Sequence, residues 1–479
     1  MSNIASLLDR IESAPEGHQI GAFFDFDQTI VDCYSASVFF QPRTRTGDLG
    51  FTQLVESLTE RRSSSRRGRD ISELIRIGAS RQTGKKVDSL SDRSREVFET
   101  QLSHLVYPEA RMLIDAHHRM GHTVVIATSG LRPMILPAAE DLGIENVIAT
   151  EMVIDQYDRY SGALDSPVRW GKDKAAAVKQ FARKKRLQLK ESFAYANGAG
   201  DISFLDLVGN PCAINADSTL KQTAKERGWP SARLDRPPQD RPIDLVRSAA
   251  AVGAFSAVVA AAAGVGIARG SRSAAANFAS GLGADVMLRT AGVTLNIVGE
   301  ENLWSRRPAV FLFNHQSQLD ALVLAALLRE NFTGVAKKSL EKDPIFGPVG
   351  WMANVAYIDR TNNVKAREAL EPVVAALKDG RSLAVAPEGT RSPTPRLLPF
   401  KKGPFHIAMQ AEVPLIPVVM RNCGEIMAAH SYVVHPGVVD VAVLPPVETK
   451  GWDLADLDDH ITQVRDMYLK TLSDWPKSD

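Results

Sequence analysis

Strand-length apolar runs alternate with helix-length stretches along most of this 479-residue chain, and that alternation leaves few folds open. "IGAFFDFD" (20–27), "TVVIATS" (123–129), "NVIATEMVI" (146–154), "SFAYAN" (192–197) and "PCAIN" (211–215) are nearly continuous apolar runs. Such runs fit strands buried on both faces. "PEARMLIDAHHRMG" (108–121) and "DKAAAVKQFARKKR" (173–186) read as helices between them. Strand-helix-strand order predicts an α/β doubly wound domain with a parallel sheet over about 20–228. A polar, helical insertion over 35–105 interrupts it and reads as a cap. "PSARLDRPPQDRP" (230–242), rich in proline and charge, reads as a linker. A second alternating block runs from "VTLNIVG" (293–299) through "AVFLFNH", "GVAKKSL", "VAYIDR", "SLAVAPEGT" and "LIPVVM" to "VDVAVLPPV". No internal repeat links the blocks, so the expectation is two unrelated α/β domains, 1–229 and 293–479, with an apolar helical segment over 243–292.

The net charge of +1 sets up no strong global field, so charge gives no reason to expect a nucleic-acid partner. Basic residues cluster locally, in "RRSSSRRGR" (61–69) and "RKKR" (183–186). These are solvated faces or contacts for anionic lipid or phosphate. Cys33, Cys212 and Cys423 lie far apart, without metal-ligand spacing, and fit a reduced cytosolic setting. The first residues carry Asp9, Glu12 and Glu16 and no signal-peptide core, so secretion is not expected. Ala249 to Ala268 contains no charged residue over 20 positions, but it is mostly Ala and Gly. A packed helix, an interfacial or re-entrant helix and a single span all remain open for it.

"FFDFDQTI" places Asp25 and Asp27 two residues apart where an apolar strand ends. One carboxylate can attack phosphorus while the second protonates the leaving oxygen and later activates water. "VVIATSG" offers Thr128 and the amides of Ser129 and Gly130 at another strand end, where they can cradle phosphate oxygens. Lys174, in "RWGKDKAAAV", stands near a helix start, and "ANGAGD" (196–201) supplies Asn197 and Asp201. In this order the motifs resemble those of the haloacid dehalogenase-like phosphatases, in the subgroup that includes phosphoserine phosphatase. The resemblance implies Asp25 as nucleophile, Asp27 as acid/base, and Thr128 and Lys174 as phosphate binders. It implies Mg²⁺ held by Asp25, the Asp27 carbonyl and the last motif, where Asn197 takes a position usually Asp and Asp201 is the supporting carboxylate. An Asn oxygen brings no charge, so Mg²⁺ affinity is expected to be lower. Tyr34 stands where members acting on phosphoserine tend to carry a Glu, which argues for a different leaving group.

"FLFNHQSQLD" sets Asp320 five residues after His315, so the carboxylate can fold back onto the imidazole and orient it as a base for a substrate hydroxyl. Cations gather from separate segments: Lys337 and Lys338 in "VAKKSL", Arg360 in "VAYIDR", Arg391 in "VAPEGTRS", Lys401 and Lys402 in "FKKGPFHIA". That set suits a phosphate-bearing alcohol. The N-H-x-x-x-x-D, the Arg after a strand, the P-E-G-T-R-S and the apolar-Pro element "VPLIPVVM", in this order, resemble the glycerolipid acyltransferases, specifically 1-acylglycerol-3-phosphate acyltransferase. The resemblance implies acyl transfer from acyl-CoA or acyl-carrier protein to a lysophospholipid, with His315 as base and no metal. Arg360, Glu388, Gly389, Thr390 and Arg391 would form the phosphate and glycerol site. Membrane access is implied as well, because the acceptor is a lysolipid, and the family commonly lays an apolar helical pair against the bilayer.

The expectation is therefore a bifunctional phospholipid enzyme, peripheral or monotopic on the cytoplasmic face of a membrane. Its alternative is an acyltransferase whose N-terminal domain is a weakened or regulatory phosphate-binding module. Homo-oligomerisation stays open.

Overall fold

The structure is a computed structural model that describes residues 2–39, 64–342, 347, 350–351, 353, 355–358, 371–429 and 431–476. The chain divides into two units, Met1–Pro237 and Pro238–Asp479.

The first unit is built on a six-stranded sheet. Its strands are β1 (Gly21–Phe24), β2 (Thr123–Leu131), β3 (Asn146–Thr150), β6 (Phe193–Ala196), β7 (Asn210–Ile214) and the short edge strand β8 (Ser231–Ala232). They lie in the order β3-β2-β1-β6-β7-β8. All neighbours run parallel, with Phe24 level with Ile126 on one side and Tyr195 on the other. Alternation sorts the side chains: Ala22, Phe24, Ile126 and Tyr195 pack in one core layer, and Phe23, Val125 and Ala194 in the other. Each buried Phe of β1 contributes about 1.5–3 kcal/mol through its area alone. The chain runs from β1 outward to β2 and β3, then returns to β6 on β1's other flank. This places the reversal of strand order at β1, and ligands of such sheets sit there, beyond the carboxyl ends of the strands.

The run 146–154 is not one strand. Asn146–Thr150 pairs with β2, whereas β4 (Met152–Ile154) leaves the sheet and pairs antiparallel with β5 (Tyr160–Leu164). The expected 35–105 insertion contains the helices Ser35–Phe39, Ser64–Ser80 and Val87–Val97, and its residues 40–63 lie outside the described residues. Ser231–Ala232, inside the expected linker, extends the first sheet.

The second unit holds a seven-stranded sheet. Its strands are β9 (Val293–Val298), β10 (Val310–Phe313), β11 (Phe332–Lys337), β12 (Ala356–Ile358), β13 (Ser382–Val385), β14 (Leu415–Met420) and β15 (Gly437–Val443). Their order is β12-β11-β13-β10-β14-β15-β9. All pairs are parallel except β14 with β15. β10 is central and fully buried, so the chain leaving its carboxyl end emerges mid-sheet.

Pro242–Arg269 forms one 28-residue helix, with Pro in its first turn and Gly270 in the left-handed region closing it. It packs through Ala251, Phe255 and Ala262. Phe255 sits so close to Gly283 that a Cβ there would lie 3.0 Å from its ring. Only 17% of the helix's apolar window is buried, and Ile243, Leu245, Val246 and Ile267 are exposed. By length and composition it is the one helix among the described residues long and apolar enough to cross a membrane.

Candidate active sites

Asp25 leaves the end of β1, its N–H donating to the Tyr195 carbonyl at 2.9 Å. Gly171, at φ 57°, opens the helix Lys172–Lys185, which sets Lys174 in its first turn. Lys174 Nζ donates to Asp25 Oδ1 at 2.7 Å and to Asp201 Oδ1 at 2.6 Å. All three are buried, Lys174 to 1% exposure. Burial pushes the Asp25 carboxyl up, Lys174 opposes that, and Asp201 and Asp27 add to the rise, so the net direction is upward. Burial works against the Lys174 ammonium, but Asp201 and Asp25 outweigh it and hold the charge. Asp27 Oδ1 accepts the Ser35 N–H at 2.9 Å, and burial raises its carboxyl against that bond. A raised carboxyl suits a residue that must give up and recover a proton.

Thr128, Ser129 and Gly130, the expected phosphate binders, lie in the last part of β2, where its pairing with β3 shifts register. Thr128 is buried, and its Oγ1 accepts the Gly130 N–H at 3.1 Å. The Ser129 carbonyl accepts from Thr150 Oγ1 at 2.8 Å, which ties the loop to β3. Asn197 follows β6, half-buried, and its carbonyl accepts the Asp217 N–H at 2.9 Å. Gly200 in this loop packs on Trp170; a Cβ there would meet the indole at 2.4 Å.

Asp217 was missed from sequence. Its Oδ2 accepts the Ala199 N–H at 3.0 Å and its Oδ1 the Leu220 N–H at 2.8 Å, so it braces the Asn197 loop while capping Ser218–Arg227. An Asp before Ser-Thr at a helix start is the signal that could have found it.

The donors suit Mg²⁺. They are hard oxygens, and two buried carboxylates share a single ammonium, which leaves room for a divalent charge. Among the described residues no group of three or more His, Cys, Asp or Glu is placed to hold a metal ion, so the side-chain carboxylates alone do not make a site here. An ion here would keep water ligands, as Mg²⁺ commonly does.

Behind Tyr195 lies a buried hydrogen-bonded chain. His122 Nε2 meets the Pro15 carbonyl at 2.9 Å, His122 Nδ1 meets His117 Nδ1 at 2.8 Å, and His117 Nε2 meets the Tyr195 hydroxyl at 2.9 Å. A carbonyl only accepts, so neutral His122 donates from Nε2 and accepts at Nδ1. His117 then donates from Nδ1 and accepts from Tyr195.

In the second unit, His315 follows β10. Its Nδ1 donates to Asp320 Oδ2 at 2.8 Å, with Asp320 fully buried and the imidazole partly exposed. The same Oδ2 accepts the Gln316 and Ser317 N–H groups at 2.7 and 2.9 Å. Nε2 is left as the basic nitrogen. Asn314 extends the pairing of β10 with β14 through its side chain, which donates to and accepts from the Met420 main chain at 2.7 Å each.

Glu388 sits where the chain leaves β13, and its two oxygens take main-chain N–H groups from His315 and Leu398. Burial lifts its carboxyl to about 7, with those two bonds opposing. Gly389 adopts φ 72°, the left-handed turn that separates Glu388 from exposed Thr390 and half-buried Arg391. Burial lowers the Arg391 guanidinium.

The other cations are dispersed in their pairings. Lys338 pairs with Glu341 at 3.0 Å and Lys402 with Asp458 at 2.7 Å, both in solvent; Lys401 is exposed. Lys337 ends β11 with its side chain outside the described residues, and Arg360 lies wholly outside them.

Residues 22–206 match the haloacid dehalogenase-like hydrolase family, and residues 294–421 match the acyltransferase family. The chain thus carries an N-terminal haloacid dehalogenase-like Rossmann domain and a C-terminal acyltransferase domain. Among individual proteins, it is 35% identical over 192 residues to a 1-acyl-sn-glycerol-3-phosphate acyltransferase of Saccharomyces cerevisiae, covering 40% of this chain and 63% of the relative. It is 29% identical over 228 residues to an "inhibition of morphological differentiation protein" of Streptomyces azureus, covering 46% of this chain and 82% of that one. The solved 1-acyl-sn-glycerophosphate acyltransferase of Thermotoga maritima is 21% identical, with a TM-score of 0.40, over 49% of this chain and 99% of its own. The chain spans a little under two thirds of the plant and yeast acyltransferases it matches.

Proposed function

We propose that the C-terminal unit transfers an acyl group from acyl-CoA or acyl-carrier protein to lysophosphatidate or a related lysophospholipid. The His315–Asp320 pair carries this reading: a 2.8 Å bond to a buried carboxylate fixes the tautomer and leaves Nε2 as base. His315 takes the acceptor hydroxyl proton as that oxygen bonds to the thioester carbonyl carbon. The C–S bond then breaks, and the imidazolium returns the proton to the thiolate. Asp320 steadies the imidazolium in between. Arg391, Arg360, Lys337, Lys338, Gly389 and Thr390 are assigned to the acceptor's phosphate and glycerol.

The N-terminal unit is assigned phosphomonoester hydrolysis, on a phospholipid or a small phosphomonoester. Asp25 attacks phosphorus and Asp27 protonates the leaving oxygen. Asp27 then takes a proton from the water that cleaves the aspartyl phosphate. Lys174, with the Thr128, Ser129 and Gly130 loop, neutralises and cradles the phosphoryl oxygens. Asp25, the Asp27 carbonyl, Asn197 and Asp201 would hold Mg²⁺, whose charge, when bound, offsets that of the phosphoryl group.

The exposed apolar helix Pro242–Arg269 supports a membrane surface as the meeting place with lipid, peripherally or monotopically on the cytoplasmic face. A paired assay on lysophosphatidate tests the whole reading. Asp25→Asn is expected to abolish phosphate release and spare acyl transfer. His315→Ala is expected to do the reverse, with acyl transfer falling about 10²- to 10⁴-fold. Full acyl transfer by His315→Ala refutes the acyltransferase assignment. No phosphate release by wild type from lysophosphatidate, phosphatidate or an aryl phosphate leaves the acyltransferase as the only enzyme.

A further inference from the structure

We propose that Glu388 serves acyl transfer as a positioning residue that fixes the main chain of His315 and does not contact the acceptor. This rests on the acyl-transfer reading above. Glu388 is 2% exposed; its Oε1 accepts the His315 N–H at 2.7 Å and its Oε2 the Leu398 N–H at 2.8 Å. The His315 carbonyl in turn accepts the Ser392 N–H at 2.7 Å. The amide and the carbonyl of the catalytic residue are therefore both held by the segment 388–392.

The fold creates the need for such a residue. His315 lies past the last residue of β10, and Leu398 lies in a loop, so neither N–H has a strand partner. Amides withdrawn from water without acceptors are costly, and one carboxylate satisfies both of these part-buried groups. Turning Glu388 toward an acceptor would forfeit both main-chain hydrogen bonds and leave two amides without acceptors. Asn314, the residue before His315, is itself pinned to Met420. Asp320 thus aims the imidazole, while Glu388 and its neighbours fix the backbone from which it projects. A displacement of about 1 Å at a catalytic group can cost 10²-fold in rate.

Glu388→Gln keeps the side-chain length and one accepting oxygen but turns an NH₂ donor toward the other amide. With 1-oleoyl-lysophosphatidate as acceptor, kcat is expected to fall about 10- to 100-fold while the acceptor KM stays within about twofold. An unchanged kcat overturns the proposal, as does a KM raised about tenfold, which would place the carboxylate on the acceptor. A second measurement uses the wild-type chain, so it stands even if the variant fails to fold. Hydrogen exchange at the His315 and Leu398 amides should stay slow when saturating 1-oleoyl-lysophosphatidate is added. Faster exchange there would show Glu388 leaving them for the acceptor and would overturn the proposal. His315→Ala separates the two levels: if it stays active, the acyl-transfer reading itself is wrong. If it is inactive while Glu388→Gln alters KM alone, only the positioning role is lost.

Discussion

The two sites restrain their charges by different means. In the N-terminal unit an ammonium stands between two carboxylates, Lys174 against Asp25 and Asp201, and the three come from the end of β1, the first turn of Lys172–Lys185 and the loop after β6. At the C-terminal site the two buried carboxylates answer to main-chain N–H groups: Asp320 to Gln316 and Ser317, Glu388 to His315 and Leu398. The first arrangement needs every partner present, because a buried charge left alone is strongly unfavourable. The second needs the loops to keep their shape. The N-terminal site should therefore fail first in stability, and the C-terminal site first in rate.

The largest expected effect tests that contrast directly. Lys174→Ala leaves Asp25 and Asp201 buried without their cation. The N-terminal unit is expected to lose about 3–5 kcal/mol in denaturant unfolding. His315→Ala, at a partly exposed ring, should leave the C-terminal unit's unfolding within about 1 kcal/mol of wild type while removing activity. A loss under about 1 kcal/mol for Lys174→Ala would mean that the ammonium is not what holds the first site together.

The same contrast explains how much could be read from sequence. Strands such as β1, β2, β10 and β14 were legible because each is a short apolar run closed by polar residues, and the reactive residues stand where those runs end. The structure sets Asp25, Asn197, His315 and Glu388 just past such runs and Thr128 in the last part of β2. The break at Glu151 was not legible, since apolar residues continue across it and only pairing with β5 separates Met152–Ile154 from the sheet. The antiparallel turn between β14 and β15 leaves no local mark either. Glu388 was expected at the acceptor; that its two oxygens take the His315 and Leu398 N–H groups depends on both segments arriving beside it, which no local pattern marks. Asp217 and the His122–His117–Tyr195 chain depend likewise on contacts between segments distant in sequence.

A smaller effect sharpens the electrostatic side. Asn197 contributes no charge to a loop that already holds Asp201, and Asp217 braces that loop through Ala199. Asn197→Asp adds one negative charge and should lower the Mg²⁺ concentration for half-maximal phosphate release by about tenfold. Isothermal titration of Mg²⁺ against both proteins gives the same comparison without turnover. An unchanged affinity would place the ion's ligands elsewhere in the loop.

The smallest effect concerns the uncharged layer behind Asp25. Burial lowers the pKa of His117 well below its ordinary value, with His122 and His118 adding to that, and burial lowers His122 against the pull of the Pro15 carbonyl and Glu16. The unfolded chain binds protons at these rings near pH 6.5, whereas the folded chain does not. Their contribution is thus intact above about pH 6.5 and is lost as the pH falls from there toward the lowered folded values. Tyr195→Phe removes the donor to His117 Nε2 and should cost about 1 kcal/mol at pH 8. The vacated nitrogen can then take a proton more readily, so the gap between variant and wild type should narrow at pH 5.5. Urea midpoints of the N-terminal unit at the two pH values measure this. A gap that widens on acidification would mean that Tyr195 accepts from a charged His117, reversing the donor order that the Pro15 carbonyl imposes.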